Sequence, residues 1–168
     1  ELPNKTALRS SVALVQDAES GETLFDKNSE TVLPIASITK LMTAVVVLEH
    51  DLDLHEQVVL TKEDLTSTRS SRIRGRLRPG SALTRDELLL LSLMASDNRA
   101  AAALARTFPG GTEAFVAAMN DEAERLDRAI LELWRERGGE EHPNAAGTLN
   151  NLAAVLKDRG DDAAAEPM

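Results

Sequence analysis

The stretch Leu33-Pro34-Ile35-Ala36-Ser37-Ile38-Thr39-Lys40-Leu41-Met42-Thr43-Ala44-Val45-Val46-Val47-Leu48 constrains this chain more than any other. Pro34 pushes Leu33 away from helical backbone and a helix-length apolar pattern follows, so the sequence predicts a helix that begins between Pro34 and Ser37. Ser37 then lies in the first turn, with Lys40 three positions on, and a helix places that hydroxyl and amine on one face. A serine hydroxyl is a poor nucleophile until a base takes its proton. Burial of Lys40 among Leu41, Met42 and residues 45–48 would disfavour the ammonium form and leave an amine able to act as that base. The helix start adds unpaired amide donors and a positive dipole end that favour developing negative charge. The arrangement suits acyl transfer. Taken alone, the spacing favours a plain capped amphipathic helix, with Ser37 as cap and Lys40 reaching solvent. A Ser with Lys three residues on is expected by chance about once in a chain of this length.

The 168 residues have room for one domain of ordinary size, or one small domain with an appendage. The aromatic residues are Phe25, Phe108, Phe115 and Trp134, so a core must be built from Leu, Val and Ala, which favours helices. A formal net charge of −9 argues against a nucleic-acid partner, because phosphate binding depends on clustered Lys and Arg. Cysteine is absent, and His50, His55 and His142 are scattered without ligand spacing, so neither a metal nor a cofactor is expected. Glu1-Leu2-Pro3-Asn4-Lys5 carries no apolar signal segment and no run approaches bilayer length, so no membrane span is expected. Either the protein is cytosolic or a signal has been removed.

Residues 12–15 and 23–25 read as two short strands joined by a tight turn at 19–22, a hairpin leading into Ser37. Such a hairpin has a sheet edge to satisfy. We expect that edge to be covered by the C-terminal helices around Trp134 and Leu152, or to pair with a second chain. Residues 41–48 read as a buried helix, 57–60 as a short strand, and Thr61 with Asp64 as a helix-start box. Arg69, Arg72, Arg74, Arg76 and Arg78, interrupted by Gly75 and closed by Pro79-Gly80, form a basic loop. It could hold an anionic substrate group by bidentate contacts, and a solvated loop paired with nearby acids accounts for it equally well. Thr84-Arg85-Asp86-Glu87 is a capping box before an apolar helix. That helix runs into Ser96-Asp97-Asn98, and an alanine-rich helix over 99–107 follows, ending at Phe108-Pro109-Gly110-Gly111. The three polar residues therefore sit at a junction between helices, where side chains can enter a cleft.

Ser37-Ile38-Thr39-Lys40 followed by Ser96-Asp97-Asn98 is the Ser-x-x-Lys and Ser-Asp-Asn pair of the penicillin-recognising serine enzymes. The words Leu83-Thr84-Arg85-Asp86-Glu87-Leu88-Leu89, Pro109-Gly110-Gly111 and Phe115-Val116-Ala117-Ala118-Met119-Asn120 extend the likeness. Over roughly residues 7–126 the chain resembles the low-molecular-mass D-alanyl-D-alanine endopeptidases and carboxypeptidases. The resemblance implies that Ser37 is the acylated nucleophile, Lys40 its general base and Ser96 a proton-relay hydroxyl. It implies that Asn98 holds the substrate's peptide carbonyl, with a peptidoglycan peptide or a β-lactam as the small ligand. It also implies a periplasmic or otherwise extracytoplasmic location, although this chain shows no signal peptide.

The family's third motif, Lys followed by Thr or Ser and then Gly, does not occur: none of Lys5, Lys27, Lys40, Lys62 and Lys157 is followed by Thr-Gly or Ser-Gly. Binding of the substrate carboxylate and one oxyanion donor depend on that missing part. From about residue 127 a different likeness takes over, through Gly139-Glu140-Glu141-His142-Pro143-Asn144 and the Leu149, Leu152, Ala153 and Leu156 spacing, to a tetratricopeptide repeat of the kinesin-light-chain type. Ile130, Leu131, Leu133 and Trp134 would supply the facing helix. One helical hairpin is too little for a free-standing repeat array. The expected fold is α+β and mostly helical: a partial β-lactamase/transpeptidase-like fold with an N-terminal β-hairpin over 1–126 and a repeat-like helical hairpin over 127–168. Three functions fit it. One is a serine-type D-Ala-D-Ala peptidase impaired by the missing motif. The second is a non-catalytic helical scaffold or interaction module, an artificial or rearranged fusion. The third is a penicillin sensor that acylates without turnover.

Overall fold

Asp17 is the residue on which the first hairpin turns. In the computed structural model, which describes residues 8–29, 31, 33–34, 36–66, 77–136, 143–158 and 160, its carboxylate accepts the amides of Glu19 at 3.1 Å and Ser20 at 2.8 Å and the Ser20 hydroxyl at 2.8 Å. Gly21 takes φ 72°, left-handed backbone that a residue without Cβ adopts at no steric cost. The turn joins β1 (Ala13–Gln16) to β2 (Thr23–Lys27) in an antiparallel pair, with Val15 opposite Phe25. The turn predicted at 19–22 thus begins earlier, because an aspartate side chain, rather than the glycine alone, organises it. A two-stranded ribbon is marginal by itself. Here Lys27 Nζ donates to the carbonyls of Leu8 at 2.8 Å and Ser10 at 2.7 Å, and Asn28 Nδ2 to that of Ser11 at 3.0 Å, which ties the leading segment down. The chain divides after Pro34 into two compact units, and this hairpin belongs to the first.

The second unit is helical. Its elements are a 3₁₀ turn (Ala36–Ile38), α1 (Thr39–Glu49), β3 (Gln57–Val59), α2 (Lys62–Thr66), β4 (Ala82–Thr84), α3 (Arg85–Met94), α4 (Asn98–Arg106), α5 (Gly111–Glu136) and α6 (Pro143–Asp158). The α+β, mostly helical architecture is the one expected. Ala44, Val46 and Val47 of α1 pack with Leu88 and Leu89 of α3, Ala100, Ala103 and Leu104 of α4, and Phe108 and Phe115. Ala100 and Ala103 of α4 have no exposed surface, so small side chains let helix backbones approach where aromatics are too few to fill a wider gap. Phe108 meets Phe115 edge-on, with centroids 5.2 Å apart, and His50 at 5.1 Å. The helix read as buried over 41–48 is buried on one face only. Lys40, Thr43, Ala44 and Val47 recur at helical spacing on the inner face, while Leu41 and Leu48 remain 60% and 56% exposed. Among the described residues no helix is long and apolar enough to cross a membrane.

Both helix-start boxes form. Thr84 and Glu87 exchange bonds of 2.8 and 3.1 Å, and Asp64 accepts the Thr61 amide at 2.8 Å and hydroxyl at 3.1 Å. The strand read over 57–60 is β3. Its partner β4, with Val58 opposite Leu83, went unread because three residues running straight into a capping box give no strand period. Arg85, the first residue of α3, is 1% exposed. Its guanidinium donates to the Asp53 carbonyl at 3.3 Å, to Thr107 Oγ1 at 3.1 Å and to the Glu56 carboxylate.

Asp64 is 2% exposed and receives Arg106 Nε at 2.8 Å and Nη2 at 3.0 Å, and Nη2 also reaches the Val59 carbonyl at 2.9 Å. Burial pushes the Asp64 carboxyl up, but the Arg106 bonds, the Thr61 donors and the Arg106 charge together hold it below the usual value of 3.8. A folded value below the unfolded one contributes stability that is complete above 3.8 and is lost as pH falls through the folded value. Asp64→Asn should therefore be less stable than the parent near neutral pH, with the gap closing as both are acidified to about pH 2. Urea unfolding of the pair across that range measures it. A gap that stays constant with pH would show that the Asp64 charge contributes nothing.

Gly110, at φ 87°, turns the chain into α5, and a Cβ there would lie 2.7 Å from that of Ala114. From there α5 runs unbroken through residues 126 and 127 to Glu136. It packs on α6 through a second apolar cluster of Leu131, Leu152 and Leu156, with Leu149 beside it. Of the four residues read as facing α6, Leu131 is buried, while Ile130 and Leu133 are 40% and 53% exposed. At about 100° per residue, positions 130 and 133 cannot share the face that 131 occupies.

Candidate functional site

Ser37 does not cap α1. The residue before it, Ala36, is left-handed at φ 51°, so the chain enters through the 3₁₀ turn and the α-helix starts at Thr39, two residues after Ser37. The N-cap position falls to Ile38, and no side chain bonds the helix start. Ser37 Oγ is engaged elsewhere. It accepts from Ser96 Oγ at 2.6 Å and from Lys40 Nζ at 3.3 Å, and Lys40 Nζ lies 3.3 Å from Ser96 Oγ as well. The three form a closed triangle of polar atoms drawn from two distant parts of the chain.

Within that triangle the exposures differ. Lys40 is 9% exposed, held on the inner face of α1 one turn from Thr43 and Ala44, whereas the Ser37 side of the site is open to solvent. Among the described residues no carboxylate forms an ion pair with Lys40. An amine so placed can take a proton from one hydroxyl and return it through the other, which is what an acyl transfer needs at its two ends.

Ser96 is brought in by the end of α3. It too is left-handed, at φ 52°, and the amides of Ala95 and Asp97 on either side both bond the Leu91 carbonyl, at 3.2 and 3.1 Å. Asp97 then caps α4, accepting the amides of Arg99 at 2.8 Å and Ala100 at 3.4 Å. Its carboxylate also takes Arg99 Nε at 2.9 Å on one oxygen and Arg99 Nη2 on the other. The Arg99 side-chain bond first, then its amide and its charge, outweigh burial and hold the Asp97 carboxyl below the usual range. Asn98 is the first residue of α4 and is exposed beside this junction. Sequence reasoning gave roles to Ser37, Lys40, Ser96 and Asn98, named Asp97 in the motif without a role of its own, and passed over Arg99. An aspartate immediately before an alanine-rich helical run was the available signal. Of the basic loop, Arg69, Arg72, Arg74 and Arg76 lie outside the described residues. Arg78 is within them, and its amide bonds Ser81 Oγ at 3.3 Å.

With this geometry in view, the likenesses of the chain are informative. The family model for D-alanyl-D-alanine carboxypeptidases of the Peptidase S11 group matches residues 2–155, which takes in most of the segment that reads as tetratricopeptide-like. The D-alanyl-D-alanine endopeptidase of Pseudomonas aeruginosa is 47% identical over 125 residues, covering 74% of this chain and 40% of the relative. That of Escherichia coli is 42% identical over 120 residues, covering 71% and 38%. The crystal structure of a D-alanyl-D-alanine carboxypeptidase from Mycobacterium tuberculosis superposes with a TM-score of 0.53 at 34% identity, covering 69% of this chain and 42% of that one. The chain thus spans about two fifths of the length of the relatives it matches. Because the match runs from residue 2 to residue 155 and through both halves of the hydroxyl–amine triangle, the chain belongs to the D-alanyl-D-alanine carboxypeptidase family.

Proposed function

We propose that the chain carries the acylating part of a serine-type D-Ala-D-Ala peptidase that acts on peptidoglycan peptides, outside the cytoplasmic membrane, through an acyl-enzyme. The observation that carries this reading is the contact of Ser37 Oγ, Lys40 Nζ and Ser96 Oγ at 2.6 to 3.3 Å. In it, Lys40 takes the Ser37 proton as Oγ bonds the substrate carbonyl carbon. Ser96 passes a proton to the departing amine as the C–N bond breaks, and Asn98 holds the peptide carbonyl. Water then attacks the Ser37 ester and releases the acid. The Lys-Thr-Gly or Lys-Ser-Gly word is absent from these 168 residues, so they retain the groups for activation and lack one oxyanion donor and the carboxylate site. Loss of one such donor slows serine hydrolases by about a hundredfold to a thousandfold. A strained β-lactam supplies driving force that a peptide does not. Slow covalent labelling by a fluorescent penicillin, abolished in Ser37→Ala, is therefore expected, with little release of D-alanine from a pentapeptide mimic. Repeated peptide turnover that Ser37→Ala removes would overturn the impairment, and no labelling at all would overturn the reading.

A second reading makes the serines relics in a helical scaffold, with residues 127–168 a tetratricopeptide-like hairpin joined to a peptidase-like part over 1–126. What supports it is the separate α5–α6 cluster of Leu131, Leu152 and Leu156. The unbroken run of α5 through residue 127 and the family match to 155 weigh against it. Absence of labelling would favour it. In either reading, the outer edges of the two-stranded β1–β2 ribbon are where a second copy would add a strand.

A further inference from the structure

Ser96 is a single strained residue between two anchors. Left-handed backbone is costly for a residue with a Cβ and persists only where its surroundings over-determine it. Upstream, the Ala95 and Asp97 amides converge on the Leu91 carbonyl at 3.2 and 3.1 Å. Downstream, Asp97 is held by four donors, two of them from one guanidinium. The Asp97 and Arg99 side chains are only 10% and 14% exposed, so their pairing is little screened by water. Among the described residues Arg99 makes no hydrogen bond to Ser37 or Lys40, and its side-chain bonds go to Asp97, the residue next to Ser96.

We propose that Arg99 is a positioning residue: its two-pronged grip on Asp97 keeps Ser96 left-handed and so holds Ser96 Oγ 2.6 Å from Ser37 Oγ. The functional half of this inference rests on the acylation reading above, and the geometric half does not. Without the grip, Asp97 keeps its amide bonds as a cap, but its carboxylate can rotate and Ser96 is free to relax toward an ordinary backbone. A displacement of the order of 1 Å at a reacting group costs up to about a hundredfold in rate.

The test uses Arg99→Gln and Arg99→Lys of the full chain, with Arg106→Gln as control. Arg106 grips Asp64 in a similar two-pronged way at the other end of the same helix. Crystal structures read the φ of Ser96 and the Ser96–Ser37 separation, and time courses with a fluorescent penicillin read the limiting acylation rate and the half-saturating concentration. Arg99→Gln should release Ser96 from its left-handed value and lower the limiting rate about ten- to a hundredfold with little change in half-saturation. Arg99→Lys, which restores the charge without the fork, should fall between, and Arg106→Gln should change neither reading. If Ser96 stays left-handed and at 2.6 Å from Ser37 in Arg99→Gln, or if Arg106→Gln slows labelling equally, the proposal fails. Should Arg99→Gln not fold, Arg99→Lys decides alone, and failure of both to fold would make Arg99 a stability residue and end the proposal. Should the parent chain not label, the acylation reading falls, while the Ser96 geometry still decides the role of Arg99.

Discussion

Lys40→Ala should leave a chain that folds but is not labelled by penicillin on the timescale that labels the parent. The reason lies in what surrounds Ser37: among the described residues Lys40 Nζ at 3.3 Å is the basic group in reach, and the other neighbour, Ser96 Oγ, is a hydroxyl. On the mechanism proposed above, removing the base costs typically about a hundredfold to ten-thousandfold. Lys40→Arg should be equally inactive, because a guanidinium does not give up its proton at neutral pH. Lys40→Met retains most of the buried stem and replaces an amine on the inner face by an apolar end, so its stability should match or exceed that of the parent. Intact-protein mass spectrometry of the acyl adduct reads the first outcome and urea unfolding the second. Labelling of Lys40→Ala at the parent rate would show that Lys40 is not the base.

Arg85→Ala should cost about 2–5 kcal/mol, through the cavity it leaves and the acceptors it strips, a large part of the stability of a domain this size. Arg85 is 1% exposed, whereas the Glu56 side chain with which it pairs is 56% exposed. The penalty therefore falls on the buried side. Truncation opens a void beneath α3 and strips Thr107 Oγ1 and the Asp53 carbonyl of a donor. Glu56, already in water, loses little. Glu56→Gln should accordingly cost about 1 kcal/mol or less. Urea midpoints at unchanged slope measure both. Equal costs for the two would mean that the ion pair, rather than the buried donor set, is what matters.

Arg85 also shows why parts of the fold were hard to read. Within Thr84-Arg85-Asp86-Glu87 it looks like an ordinary polar residue in a first helical turn. Its burial depends on a carbonyl at position 53 and a hydroxyl at position 107, which no local pattern links to it. The capping boxes at Thr61 and Thr84 were legible because each is closed within four residues. The same holds for the starts of α3 and α4, whereas β3 was legible from its short β-branched run although its partner lies some twenty-five residues on. Ile130 and Leu133 were assigned to the wrong face because a run of adjacent apolar residues fits more than one helical phase. Which phase is used is set by α6.

For the site, the local words determined the chemistry on offer: a hydroxyl and an amine three residues apart, and a second hydroxyl at a helix junction. That information is contained in residue type and spacing, since a spacing of three along the 3₁₀ turn and the first turn of α1 brings position 37 near position 40. Tertiary structure decided the rest. Ser96 reaches Ser37 across 59 positions because α3 and α4 pack on α1 through residues of negligible exposure and because left-handed backbone at Ala36, just before Ser37, and at Ser96 itself turns the two hydroxyls together. Neither is a glycine or an asparagine, so nothing in their identity announces a positive φ. The conformation is imposed by contacts made elsewhere, and a strained backbone is held by its surroundings rather than by its own preference.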